Sequence, residues 1–294
     1  MRSCLLLLLP MLLAAADLKI DHVTVAGRDL KPIQARLEAV GIPTVYGGPH
    51  ANHITEMALA SFPDGSYLEA IAVQPSAAPG VADRHEWAPF LKQDSIPCAW
   101  AVQTGDLGAE RERLQKAGVS VSAAVHAGRE RPDGVRLEWE TADVGSGVRG
   151  GLFPFFIHDL TPRANRAFPQ GKPVTRDFKG ITRVVIAVRN LDAAIEQYRK
   201  AFGLPAAIKQ VDKEFGAQLA MVGSAPVILA QPLHAGGWLD DRLQRFGEGP
   251  CAFVLAAARP GKYKTAARSR WFATEISWFD PEQLGWRLGF EAAP

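Results

Sequence analysis

The chain has 294 residues, 47% hydrophobic and 22% charged, with 33 Lys and Arg against 31 Asp and Glu. That composition suits a globular protein long enough for two cored domains and excludes wholesale disorder. A net charge of +2, with no long basic run matched by exposed aromatics, argues against a nucleic-acid partner.

In chain order, Arg2, the apolar run Leu5–Leu13 and Ala14-Ala15-Ala16 read as a secretory signal peptide over residues 1–16. Cleavage is expected after Ala16, giving a mature chain that works in the periplasm or outside the cell. The run is too short for a permanent membrane anchor. Cys98 and Cys251 remain after cleavage. Their matching Pro-Cys-Ala-aromatic contexts place each in its own core and argue against a disulfide.

Ile20–Ala26 alternates as a strand, Leu30–Val40 carries helical spacing, and Gly41 with Pro43 stops the helix. Thr44–Tyr46, Thr55–Phe62 and Ser66–Val73 follow as strands, the last two joined by the Pro63-Asp64-Gly65 turn. A short helix near Glu86–Leu91 precedes a second unit: strand Cys98–Thr104, helix Leu107–Ala117, then strands Val119–Val125, Arg136–Thr141 and Leu152–His158. Arg163–Thr175 reads as the connection between halves, so that domains span 17–165 and 178–294 around a linker over 166–177.

Beyond the linker the pattern returns. Ile181–Leu191 (ITRVVIAVRNL) repeats Ile20–Leu30 (IDHVTVAGRDL), with Arg183 where the first copy has His22. Helix Leu191–Phe202 and strands Gln218–Val222 and Pro226–Gln231 complete a third unit. Cys251–Ala257, Glu275–Phe279 and Gly285–Phe290 outline a degraded fourth unit. Between them, the basic stretch Arg259–Arg270 reads as a solvated loop, or else as a docking patch for an anionic surface. The expected class is α+β: tandem βαβββ units forming cupped mixed sheets in two domains.

Tandem units of this kind resemble the vicinal oxygen chelate superfamily, and the first half is similar to the glyoxalase-like domain family. The resemblance is carried by Asp21-His22-Val23, Gly47-Gly48-Pro49-His50, Asp64-Gly65-Ser66-Tyr67-Leu68-Glu69, Arg131-Pro132-Asp133-Gly134 and Gly150–Ile157. It implies paired units that enclose a cavity with a divalent metal, held by residues of first and fourth strands. Carried over by position, His22 and Glu69 are ligands and candidate catalytic groups, and His158 is the third ligand. Two imidazoles and a carboxylate suit Fe, Mn, Ni or Zn. A one-residue slip would turn His158 to the other face.

Of the four equivalent first-strand positions, His22, Ala99, Arg183 and Ala252, one is an imidazole, so any metal belongs to the first half. The rival to ligation is a His22–Glu69 hydrogen-bonded pair. His50, His53 and Glu56 either line the cavity or face solvent. Arg129 and Arg131 either clamp a ligand carboxylate at the cavity mouth or stabilise a local turn. His85, His126 and His234 read as surface residues. Gly145–Gly150 matches G-x-G-x-x-G but precedes a strand, which argues against a nucleotide cofactor. The resemblance implies a metal-dependent lyase or isomerase acting on a carbonyl or enolisable small molecule. The alternatives are a non-catalytic binding protein and an extradiol-type dioxygenase. The chain would act as a monomer or homodimer.

Overall fold

The computed structural model describes residues 18–131 and 133–293. The expected signal segment and Pro132 lie outside the described residues. The first half contains β1 (Ile20–Gly27), α1 (Leu30–Ala39), β2 (Val45–Pro49), β3 (Thr55–Ser61) and β4 (Tyr67–Val73). A 3₁₀ turn over Val81–Arg84 and α2 (Ala88–Leu91) lead to β5 (Ile96–Gln103), α3 (Leu107–Lys116), β6 (Val125–Glu130), β7 (Arg136–Ala142) and β8 (Phe155–Asp159). Asp29 and Asp106 cap the two crossover helices, accepting from Lys31 N and Ala109 N at 3.0 and 2.9 Å.

Each helical crossover sets the fourth strand of its unit parallel to the first, and the two first strands meet antiparallel. The order is β2-β3-β4-β1-β5-β8-β7-β6, with β1 and β5 at the centre. Both faces of β1 are covered: Val23 and Val25 enter the large core beneath the helices, and His22 and Thr24 face the cup.

The second half repeats this order with β9 (Phe178–Ala187), α5 (Leu191–Phe202), β10 (Ala207–Asp212), β11 (Ala217–Val222), β12 (Val227–Pro232), α6 (Trp238–Phe246), β13 (Gly249–Ala257), β14 (Ala267–Trp271), β15 (Thr274–Trp278), α7 (Pro281–Leu284) and β16 (Arg287–Ala292). Here α4 (Arg163–Ala167), in the stretch read as linker, precedes β9. The backs of both sheets and helices α1, α3 and α5 share one core, and the Tyr198 hydroxyl donates to Leu152 O at 2.5 Å across it.

Several elements differ from expectation. Val119–Val125 is not a strand: Val121 makes one isolated bridge to Val144, and pairing starts at Val125. The β6 edge strand lacks the apolar alternation of a half-buried strand, and its Gly128 backbone lies where a Cβ would come 2.7 Å from Leu137 O. Strands β10 and β14 and helix α6 lay outside the sequence reading, and β14 takes up the end of the expected basic loop Arg259–Arg270. Cys98 and Cys251 are buried free thiols.

The two cups are finished differently. In the second, Phe215, Trp271 and Trp278 pack with ring centroids 4.9–5.3 Å apart. Its edges are laced by Gln210, which donates to Arg270 O at 2.5 Å and accepts from Phe272 N at 2.9 Å. In the first, among the described residues, one side-chain hydrogen bond joins the edges, Arg129 Nη1 of β6 donating to Gly47 O of β2 at 2.5 Å. Phe215 is 2% exposed at the centre of the filled cup, so Phe215→Ala should lower stability by about 3–5 kcal/mol, read from urea unfolding.

Candidate functional site

The first cup holds a chamber of 130 Å³, lined among others by His22, His50, Tyr67, Glu69, Arg129 and Phe155, which continues into an 830 Å³ vestibule. His50, Trp87, Arg129, Trp139, Thr141 and Arg149 border both.

Glu69 on β4 lies beside Thr24 of β1 by register, and the Thr24 hydroxyl donates to its Oε2 at 3.1 Å. His22 Nε2 is 3.9 Å from that oxygen, and His50 Nε2 is 3.5 Å from Oε1. Burial alone would raise the Glu69 carboxyl. The adjacent His50 and His22 imidazoles and the Thr24 hydroxyl outweigh it, bringing the pKa from the ordinary 4.5 to about 2.

His22 is oriented from behind. Its Nδ1 lies 2.6 Å from Asp21 Oδ1, its ring stacks on Tyr67 at 4.8 Å, and Phe155 meets it edge-on at 5.4 Å. Asp21 is fully buried. Burial disfavours its charge, but the Arg166 guanidinium and His22 hold its carboxyl well below the usual range. An ionised Asp21 accepts from Nδ1, so Nε2 is the ring nitrogen that faces Glu69. Arg166 Nη1 and Nη2 reach Asp21 at 3.0 and 2.8 Å, while Nε and Nη2 reach Asp159 at 2.5 and 2.8 Å. Arg166 also donates to the Tyr67 hydroxyl at 2.6 Å, and Arg163 adds a second cation on Asp21.

His50 is set by the turn before β3. Its Nδ1 lies 2.8 Å from Thr55 Oγ1, and Asn52 Oδ1 accepts from Ile54 N and Thr55 N at 2.9 and 3.1 Å. Arg129 is 6% exposed and borders the chamber, and its Nη2 has no hydrogen-bond partner among the described residues. Arg149 lies 3.8 Å over the Phe155 ring and is paired with Asp143.

Other expected site residues are placed elsewhere. On β8, Phe155 and Ile157 face the cup, while Phe156 faces the large core. His158 follows the outward alternation, and its Nδ1 contacts Thr104 O at 3.0 Å. The one-residue slip therefore removes it from the expected metal set. Arg131 pairs with Asp133 and donates to Asn165 O at 3.1 Å, which is the local-turn alternative. His53 is exposed with φ 57. Glu56 shares the outward parity of Ala58 and Ala60 and accepts from the Tyr46 hydroxyl at 2.9 Å. His85 and His126, expected at the surface, border the vestibule. Burial, then the charges of His50 and Arg149, lower the His85 pKa.

The residues present do not fit the three-ligand metal centre. Among the described residues no group of three His, Cys, Asp or Glu is arranged to hold an ion. His22 and His50 approach different oxygens of Glu69, and the residue at the Glu69 register position in the second unit is Phe155. Arg129, Arg149 and Arg166 line the chamber; Arg149 and Arg166 are paired with carboxylates, and Arg129 forms no ion pair among the described residues, so its charge is the one open to a ligand. That setting suits an anionic small molecule.

Glu69 makes a pH-dependent contribution to stability. An unfolded carboxyl at 4.5 binds protons before the folded one at about 2 does. Stabilisation of the order of 3 kcal/mol is complete above pH 4.5 and falls away toward pH 2. Urea midpoints of Glu69→Gln should show a flatter acid limb in that window; an unchanged slope would refute the assignment.

A match to solved structures supports the same architecture. A hypothetical protein from Staphylococcus aureus aligns with TM-score 0.65 and 14% identity, over 94% of this chain and 100% of that one. A mutant 4-hydroxymandelate synthase from Streptomyces coelicolor aligns with TM-score 0.57 and 13% identity, over 94% and 92%. No curated protein matches in sequence. No helix among the described residues is long and apolar enough to cross a membrane. The glyoxalase-like domain model matches residues 20–202, from β1 through α5. With more than half its length matched, and with paired βαβββ units in each half, the chain belongs to the glyoxalase-like domain family of the vicinal oxygen chelate fold.

Proposed function

We propose that the first cup is the active site of an isomerase that moves a proton alpha to the carbonyl of a small carboxylate-bearing compound. The observation carrying this reading is the chain Asp21–His22–Glu69, with Nε2 of His22 directed into a chamber that also holds the unpartnered Nη2 of Arg129. In this reading His22 Nε2 takes the α-proton. The electron pair of the broken C–H bond moves onto the carbonyl oxygen, where Arg129 donates to the enolate. Glu69, ionised through neutral pH, stabilises the imidazolium formed at His22. Return of the proton to a different position or face completes the isomerisation without a redox partner. Arg149 holds the substrate carboxylate, and Trp87 and Trp139 limit water access.

A metal-dependent reaction is favoured by one observation, the approach of His22 and His50 to one carboxylate. His22, His50 and Glu69 are the donors such an ion would meet in the chamber, although they are not arranged as a three-ligand group. Exchange of α-protons into D₂O, followed by NMR over a panel of 2-oxo and 3-oxo carboxylates, tests the metal-free reading. His22→Ala should slow exchange by about 10²-fold or more, while Arg129→Gln should act on both KM and kcat. Exchange that survives His22→Ala would refute the base assignment. Stoichiometric metal in purified protein, lost in His22→Ala, would favour the metal-dependent reading. Tight binding of a panel compound with no exchange would favour the non-catalytic binding protein.

We also propose that the chain is exported, on the strength of the Arg2, Leu5–Leu13 and Ala14–Ala16 pattern. Intact-mass measurement on protein from the native host should give an N-terminus at Asp17; a mature chain retaining residues 1–16 would refute cleavage there.

A further inference from the structure

At the mouth of the filled second cup lies another cavity, of 420 Å³, between the halves. Its wall includes Pro97 of β5, Trp238, Arg242 and Phe246 of α6, Trp286, and Arg287 at the start of β16. It is distinct from the first cup, and the proposed reaction uses none of these side chains.

The charges here are arranged by depth. Arg242 is 6% exposed; its Nε and Nη2 donate to Pro250 O at 3.2 and 2.9 Å, and Nη1 donates to Gly247 O. Those carbonyls satisfy its N–H groups without neutralising its charge. Arg287, half-buried, lies 4.4 Å over the Trp238 ring and 5.4 Å over Phe215 and forms no ion pair among the described residues. Trp238 is itself held by its Nε1, which donates to Phe215 O at 2.7 Å. Burial disfavours the charged form of both arginines. The wall's carboxylates, Asp241 and Glu282, are exposed at the rim, as is Arg245, which donates to Gln93 Oε1 at 2.7 Å. Cys251 also lines the cavity; burial pushes its thiol up to about 12, so it stays neutral and does not oppose an anion.

A cavity with cationic depth, aromatic walls and an anionic rim selects for shape and charge together. We infer that it is a second ligand site that takes a planar aromatic carboxylate, its anionic group on Arg287 with Arg242 behind and its ring against Trp238 and Trp286. Asp212 acts on Arg287 from a distance, but neither guanidinium forms an ion pair among the described residues, and an occupant's carboxylate would supply that direct partner.

The test uses 1-naphthoate as probe and 1-naphthalenemethanol as its uncharged comparator, titrated calorimetrically into the full chain carrying Arg129→Gln and Arg149→Gln together, which removes both the enolate donor and the carboxylate holder proposed for the first cup. The expected result is saturable naphthoate binding that the alcohol matches at least tenfold more weakly. Arg287→Gln should weaken naphthoate about tenfold or more. Asp241→Asn, which removes a rim carboxylate on the exposed side of α6, should tighten it roughly threefold and keeps the test valid if Arg287→Gln unfolds. Equal binding of acid and alcohol, indifference to both substitutions, or no naphthoate binding at about 5 mM would overturn the inference. Because both first-cup anion groups, Arg129 and Arg149, are absent throughout, none of these outcomes bears on the proton-transfer proposal.

Discussion

The interaction on which the first half depends is the buried pairing of Arg166 with Asp21 and Asp159. It joins the start of β1 to the end of β8, strands of different units, and anchors α4 to both. A guanidinium 3% exposed is tolerated there because two carboxylates, flat and correctly spaced, meet its planar fork. Leaving either side unpaired would strand a charge in the core, at a cost of about 3–5 kcal/mol. The same Asp21 also orients His22. The structural clamp and the candidate base thus share one carboxylate, so the site cannot be loosened without loosening the union of the two units.

The frame repeats in all four units, but the polar groups of the first unit do not. At the register position of Glu69 the other units have Phe155, Ile228 and Gly289. Arg183, the counterpart of His22, reaches Glu291 at 3.4 Å instead of a ligand. In the second cup the space became aromatic core, and burial of Phe215, Trp271 and Trp278 replaces whatever a ligand would have contributed.

Much of the frame was legible in the sequence because repeated strand-helix junctions preserve spacing: the Asp29, Asp106 and Asn190 caps each precede a leucine that starts a helix. His22 and Glu69 were singled out through the family resemblance, on Asp21-His22-Val23 and Tyr67-Leu68-Glu69, and the structure sets the two side chains 3.9 Å apart. The direction of His158 was not legible, because parity along β8 depends on where pairing begins, and that strand starts at Phe155 instead of Leu152. Arg129 and Arg131 look alike in sequence, two residues apart on an edge; one closes the cup and the other ties a turn. The role of Arg166 was hidden because a Pro- and Arg-rich connection reads as solvated. Its partners are 145 and 7 residues away, and no local pattern announces such a meeting. Helix α6 was missed although Leu239 and Leu243 stand one turn apart, since its other residues are mostly charged.

The single side chain closing the first cup has a thermodynamic consequence. Its remaining walls are continuous sheet backed by the shared core and tied by Arg166, whereas the seam between β2 and β6 is joined, among the described residues, by the Arg129–Gly47 hydrogen bond. A ligand that seats between them freezes little beyond that seam, and most of the ordering entropy of a snug chamber was already spent in folding. Affinity can therefore be tuned by residues along two edge strands, with the load-carrying centre of the sheet left untouched.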